Sequence, residues 1–328
     1  MKRILPVYAL GHLAVDFVCA WALFGRLSGT GQWLELALVY NFCAFALQMP
    51  VGILADRLGH NRLWAACGAA LVCLGAVAPW SWPTVLLCGV GNALYHVGGG
   101  RHMLLESRGY SALGAFVAPG AVGIFLGGLM RGQRLPGVLG MGVLFACGLT
   151  LCMGHRGERP SPRDMSLPDR SALCRSAALF LVVLLRSLGG MCMVTPWKTG
   201  FWITVGALLG AAGKGLGGPA ADRLGGRLGA GASLLLAAVL YLFPANPVCG
   251  VLAGLLFNMS MPVTLRDSAR ELPGGEGFAF GLLTFALFLG FLPAQWGLSL
   301  APWQGAALSA VSGLILLPAA RGRAPCTT

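Results

Sequence analysis

The sequence predicts an all-α membrane protein of twelve transmembrane helices in two pseudo-symmetric six-helix bundles. Three observations predict it. Hydrophobic residues make up 56% of the chain and charged residues 10%, with mean hydropathy +0.75, whereas soluble domains carry about a quarter charged residues. Apolar stretches of about 20 residues, the length that crosses a bilayer, recur about twelve times. Finally, the segment Val51 to Arg62 (VGILADRLGHNR) returns at Gly218 to Arg227 as GPAADRLGGR, with Asp56 and Asp222 standing 166 positions apart. A half-chain repeat in a membrane-spanning sequence points to two related halves around a shared central cavity.

The apolar runs place helices over 4–25, 33–55, 62–79, 83–104, 110–130 and 135–154, then over 173–194, 198–221, 228–244, 247–267, 276–297 and 301–318. The organisation is therefore an N-terminal bundle over 1–154, a charged, Pro-containing linker over 155–172, and a C-terminal bundle over 173–328. Most of the 50 glycines sit inside apolar runs, where small residues let membrane helices approach closely; Gly123 and Gly127 have the small-xxx-small spacing of a packing face. The 11 cysteines form no C-x-x-C pair and read as small packing residues rather than metal or redox centres. Histidines His96 and His102 are six apart and do not share a helix face, so no metal centre and no cofactor is expected.

The net charge of +12 is a topology signal. No basic run is interleaved with aromatics, which excludes a nucleic-acid partner. In the predicted loops, only Arg26, Arg131, Arg134 and Lys198 fall on one side. Arg186 and Lys214 fall inside helices, and the remaining Lys and Arg fall with the termini. The positive-inside rule puts both termini in the cytoplasm and makes the number of spans even. Both motif copies then lie on the cytoplasmic side, so the repeat is parallel. The same offset maps Asn92 onto Asn258.

Ionisable groups inside the hydrocarbon cost about 3 kcal/mol each and face a cavity or a partner. His12 and Asp16, four apart, share a face of the first helix near the bilayer midplane and form a candidate proton or substrate site; the bland alternative is a helix-packing hydrogen bond. Arg186, in the middle of the seventh helix, is expected to face Asp16 or an anionic substrate group. Asn92 and His96 share a face of the fourth helix, Asn41 and Gln48 a face of the second, and Asn258 sits in the tenth; these amides serve substrate or interhelical hydrogen bonds. Lys214 ranks below Arg186, because it lies closer to a helix end.

The string G-x-L-A-D-R-x-G-x-x-R from Gly52 to Arg62 resembles the loop 2–3 signature of the major facilitator superfamily, and Gly218 to Arg227 resembles its loop 8–9 counterpart. Gly11-His-Leu-Ala-Val-Asp16 and Gly91-Asn-Ala-Leu-Tyr-His-Val-Gly-Gly-Gly100 are similar to the fosmidomycin-resistance-type branch. The resemblance implies the major facilitator fold and a proton-coupled secondary transporter that exports a small organic compound by alternating access. It implies an inner-membrane, multi-pass monomer whose partners are a small-molecule substrate, protons and membrane lipid. It also implies a cytoplasmic gate in which Asp56 accepts bonds from helix amides or basic groups of the other half, with Arg57, Arg62, Arg101, Glu106, Asp222, Arg223 and Arg227 around it. Uptake of a small metabolite is the alternative direction. A polytopic membrane enzyme is the competing class, and H-E-x-x-H, G-x-S-x-G and P-loop patterns are all missing from the sequence.

Overall fold

The computed structural model describes residues 4–158 and 160–317. Lys2, Arg3, Arg159, Arg321 and Arg323, used in the orientation argument, lie outside the described residues, as do both termini. The described chain is all-helical, with twelve helices: α1 (Leu5–Arg26), α2 (Trp33–Leu58), α3 (Asn61–Val77), α4 (Ser81–Glu106), α5 (Ser111–Leu129), α6 (Arg134–His155), α7 (Arg170–Cys192), α8 (Phe201–Leu224), α9 (Gly226–Tyr241), α10 (Pro247–Glu271), α11 (Glu276–Gln295) and α12 (Pro302–Leu316). Seven are long and apolar enough to cross a membrane by length and composition: α1, α2, α5, α6, α7, α10 and α11. The protein is a multi-pass membrane protein.

Packing repeats between the halves. Within the first six helices, α1 packs on α5 and α6, and α3 on α4 and α6. Within the last six, α7 packs on α11 and α12, and α9 on α10 and α12. The halves meet along two seams, α2 with α11 and α5 with α8. Glycine makes both seams possible. A Cβ on Gly52 would lie 2.2 Å from the Gly277 carbonyl oxygen, and one on Gly281 would lie 2.2 Å from that of Gln48. On the other seam, a Cβ on Gly114 would lie 2.9 Å from the Gly215 carbonyl oxygen, and one on Gly218 would lie 2.7 Å from that of Tyr110.

The two motif loops share one end of the bundle, here termed the motif end. Each turn is made by a glycine in the left-handed region, Gly59 at φ +73° and Gly225 at φ +89°, a conformation that costs glycine no Cβ clash. This is the physical reason that the repeated string carries Gly at that place.

Two helices are irregular. In α2, a π-turn spans Phe42–Ala46, with the Leu47 amide donating to the Phe42 carbonyl at 3.2 Å. Pro50 follows and has no N–H for the Ala46 carbonyl. The extra residue rotates Gln48 away from Asn41, so the two amides do not share the face that regular spacing predicts. In α10, the helix breaks after Asn258 and resumes at Met261; Pro262 supplies no N–H to the Asn258 carbonyl.

The seam geometry makes a prediction. Gly52→Leu cannot be accommodated without parting α2 from α11. Spin labels on the motif ends of these helices, read by double electron–electron resonance, are expected to show a longer mean distance in Gly52→Leu than in the wild type. An unchanged distance contradicts the close-approach role.

Candidate substrate and coupling site

The buried acid of α1 organises the first half's interior. Asp16 and His12 are 7% and 5% exposed. His12 Nε2 lies 3.3 Å from Asp16 Oδ2, and His96 Nε2, on α4, lies 3.8 Å from Asp16 Oδ1. Asn92, one turn before His96, donates from Nδ2 to Asp16 Oδ1 at 2.8 Å and fixes the carboxylate. The two imidazoles meet edge to face, with centroids 4.3 Å apart.

Each ring's other nitrogen settles its tautomer. His12 Nδ1 lies 2.7 Å from the Phe116 carbonyl and His96 Nδ1 lies 2.9 Å from the Asn92 carbonyl. A carbonyl oxygen only accepts, so both Nδ1 atoms carry the proton. In the neutral rings, both Nε2 lone pairs then point at a carboxylate that also only accepts. Three electron-rich groups converge with no hydrogen between them, an arrangement that calls for a cation. Gly120 lets α5 pack closely over this place: a Cβ there would sit 2.3 Å from His12 Nε2 and 2.5 Å from Asp16 Oδ2. His12, Asp16 and His96 each offer a ligand atom, all within 4.8 Å of one another, so this is the place where a metal could be held. The relevant histidine partner of His96 is therefore His12, on a different helix, and not His102.

The second half contributes cations. Arg186, 7% exposed, does not pair with Asp16. Its Nη2 donates to the Phe257 carbonyl at 3.0 Å, its guanidinium lies 4.9 Å from the Phe257 ring centroid, and its buried Nε has no partner. Lys214 on α8 is the cation within electrostatic range of Asp16 and also of Arg186. Arg186 and Lys214 have no carboxylate within ion-pair distance among the described residues. Sequence position had ranked Lys214 second because distance along α8 says nothing of what faces the residue across the bundle.

The remaining amides divide. Asn41 and Asn258 each donate to a carbonyl of their own helix, Ala37 at 2.7 Å and Gly254 at 2.8 Å. Gln48 is buried in the α2–α11 seam, donating to the Ala44 carbonyl, with Oε1 unpartnered. None of the three reaches the Asp16 site by a hydrogen bond.

At the motif end, Asp56 accepts from the amides of Gly277 (2.8 Å) and Phe278 (2.9 Å) at the start of α11, and from Arg101 Nε at 2.7 Å. Asp222 repeats this on the other seam, accepting from the amides of Tyr110 (2.8 Å) and Ser111 (3.0 Å) at the start of α5, and from the Ser111 hydroxyl. Each acid thus caps a helix of the opposite half, where amides and helix dipole favour an anion. Around them, Arg227 pairs with Asp267 (2.7 Å) and Glu271 (3.1 Å). Arg266 donates to the Leu104 and Met103 carbonyls, and Arg270 to the Tyr110 hydroxyl.

The linker lies across this end. Ser161 accepts from Arg101, the Arg163 amide donates to the Asp56 carbonyl, and Arg163 pairs with Glu276. Arg62 donates to the Gly154 carbonyl and, from its amide, to Glu158. Burial acts to raise the Glu158 carboxyl, but His102 at 3.7 Å and hydrogen bonds from His155 and the Arg62 amide outweigh it and hold the group below the ordinary carboxylate range. Arg57, Arg223 and Glu106 are exposed and make no ion pair among the described residues. Of the motif-end residues, Tyr110, Glu158 and Glu276 escaped sequence analysis, since only the tertiary fold brings them to the motif loops.

No family model and no curated protein matches the sequence. Solved structures do match the fold. FucP of the major facilitator superfamily in its outward conformation is 13% identical over 97% of this chain and 98% of its own, with TM-score 0.63; a second structure, of the E. coli fucose:proton symporter FucP, gives 0.67 at the same identity and coverage. A bacterial homologue of the iron transporter ferroportin, in the outward-facing state, is 16% identical over 96% and 98%, with TM-score 0.64. The human organic anion transporter MFSD10 is 15% identical over 97% and 98%, with TM-score 0.62. The chain has the major facilitator fold over nearly its whole length.

The two caps differ in burial, and that difference is measurable. Arg101 is fully buried against Asp56, so Asp56→Ala leaves a buried charge uncompensated and is expected to cost about 3–5 kcal/mol. Asp222 is exposed and acts chiefly as a cap, so Asp222→Ala is expected to cost about 0.5–2 kcal/mol. Thermal unfolding of the purified variants checks the order, and equal losses contradict it.

Proposed function

We propose that this chain is a secondary transporter that moves a small organic anion by alternating access, with Asp16, His12 and His96 binding the coupling proton. The convergence of two imidazole lone pairs on one buried carboxylate carries the reading. A proton between Nε2 and the carboxylate turns that repulsion into a charge-assisted hydrogen bond, so occupancy by a cation changes the stability of the buried site. The anionic cargo is argued from Arg186 and Lys214, two intramembrane cations with no carboxylate within ion-pair distance among the described residues. The likeness in fold to MFSD10, a human organic anion transporter, agrees with that cargo class. Asn92 serves as the positioning residue of Asp16.

In this reading the motif end is the cytoplasmic gate, both termini are cytoplasmic, and the inner membrane is the location. The closed caps at Asp56 and Asp222 then correspond to a state closed toward the cytoplasm. A single chain carries both halves, which supports function as a monomer among lipids. Export is argued from the resemblance of the α1 and α4 strings alone. Uptake is favoured by a different observation, the likeness in fold to a fucose:proton symporter.

Reconstituted vesicles test the reading. A panel of small organic anions is added to protein-containing vesicles while a pH-sensitive dye reports proton movement. Wild type is expected to move protons with at least one compound, and Asp16→Asn to lose gradient-driven accumulation. Lys214→Met is expected to raise the KM for that compound. Full gradient-driven accumulation in Asp16→Asn rejects the coupling site.

A further inference from the structure

We infer that His12 Nε2, His96 Nε2 and the Asp16 carboxylate form a binding site for one divalent first-row transition-metal ion. The inference stands on the geometry of these groups and goes beyond anion transport, which it does not require.

Four observations carry it. The donor set, two neutral imidazoles and a carboxylate, suits zinc, cobalt, iron and nickel. The spacing fits: bonds of about 2.0–2.2 Å in tetrahedral geometry put ligand atoms about 3.4 Å apart, and here the pairs stand at 3.3 and 3.8 Å. The two distances run to different carboxylate oxygens and the three ligand atoms all lie within 4.8 Å of one another, so closing on one ion draws the two rings and the carboxylate inward.

The outer contacts are those a metal site needs. Each imidazole donates its Nδ1 hydrogen to a backbone carbonyl, of Phe116 and of Asn92, and the carboxylate is held by the Asn92 amide. Such partners fix the tautomer and aim the free lone pair at the metal. Enclosure is the fourth observation: with no Cβ on Gly120, α5 packs closely over His12 Nε2 and Asp16 Oδ2.

Three protein ligands leave at least one coordination position open. The charged groups of the second half near this cluster are cationic. Lys214 is within electrostatic range of Asp16 and His96, and Arg186 is within range of Lys214. A bare dication is therefore opposed by Lys214, and the open position suits an anionic ligand. This sign separates a metal site from a merely structural cluster, because a structural cluster gives Lys214 no reason to govern metal affinity.

The test is a titration of the purified full-length chain in detergent with Co2+, followed by visible absorption and calorimetry. One Co2+ per chain is expected, with nitrogen–oxygen coordination bands. Asp16→Asn and His96→Ala are expected to weaken binding more than 100-fold. Asn92→Leu, which removes an outer contact, is expected to weaken it about 10- to 100-fold. Lys214→Met is expected to tighten it. Should Asp16→Asn unfold, the His96→Ala and Lys214→Met variants still decide the matter, with a thermal scan confirming their fold. Absence of Co2+ binding overturns the site. So does a spectrum of cysteine thiolate bands that His96→Ala leaves unchanged, or Lys214→Met binding no more tightly than wild type. None of these readouts involves flux, so failure of the metal site leaves the transport reading standing, and failed transport leaves the metal site standing.

Discussion

The arrangement of the two halves depends on a carboxylate of one half capping a helix of the other. Asp56 meets the first amides of α11 while Arg101 holds it from its own half, and Asp222 meets the first amides of α5. A helix N-terminus presents unsatisfied N–H groups and a partial positive charge, so each acid is held by a helix end it does not share a bundle with. The glycine seams bring the backbones close enough for these bonds to form. Such contacts are short-range and are lost outright when the helices part, which favours two discrete arrangements over a continuum.

The Asp16 site lies within the first half, between α1 and α4 and against α5. The second-half cation within electrostatic range of it, Lys214, is carried by α8, the helix that ends in the Asp222 cap. α5, which closes the site at Gly120, begins at the amides that Asp222 receives. The same pair of helices therefore joins the buried charges to the motif-end cap. In the proposed transport reading, motion at the α5–α8 seam would change both the distance from Lys214 to Asp16 and the bonds of Asp222, and so would couple the interior to the motif end.

Much of this was legible in the sequence because it repeats. The ADRLG string, copied at Asp56 and Asp222, marks both turns, its family resemblance implies the Asp56 cap, and the apolar runs place the twelve helices to within a few residues. His12 and Asp16 were legible as a pair because helical spacing alone joins them. What was not legible depends on contacts between distant elements. His96 reaches Asp16 only once α1 and α4 cross, and Arg186 turns to Phe257 because α7 packs beside α10. The π-turn at Phe42–Ala46 misaligns Asn41 and Gln48, which regular spacing would superpose. Asn92 and Asn258 are equivalent by the repeat yet differ in use, since α4 runs straight through its asparagine and α10 breaks after its own.

The central claim is that the two caps are made and broken together as the halves rock. Single-molecule energy transfer tests it most directly, with one dye pair across the motif ends of α2 and α11 and a second pair across the opposite ends of the bundle. The account predicts two exchanging populations whose distances change in opposite senses, with Asp56→Asn shifting the balance toward the state open at the motif end. A single fixed distance at both ends, insensitive to Asp56→Asn, would contradict it.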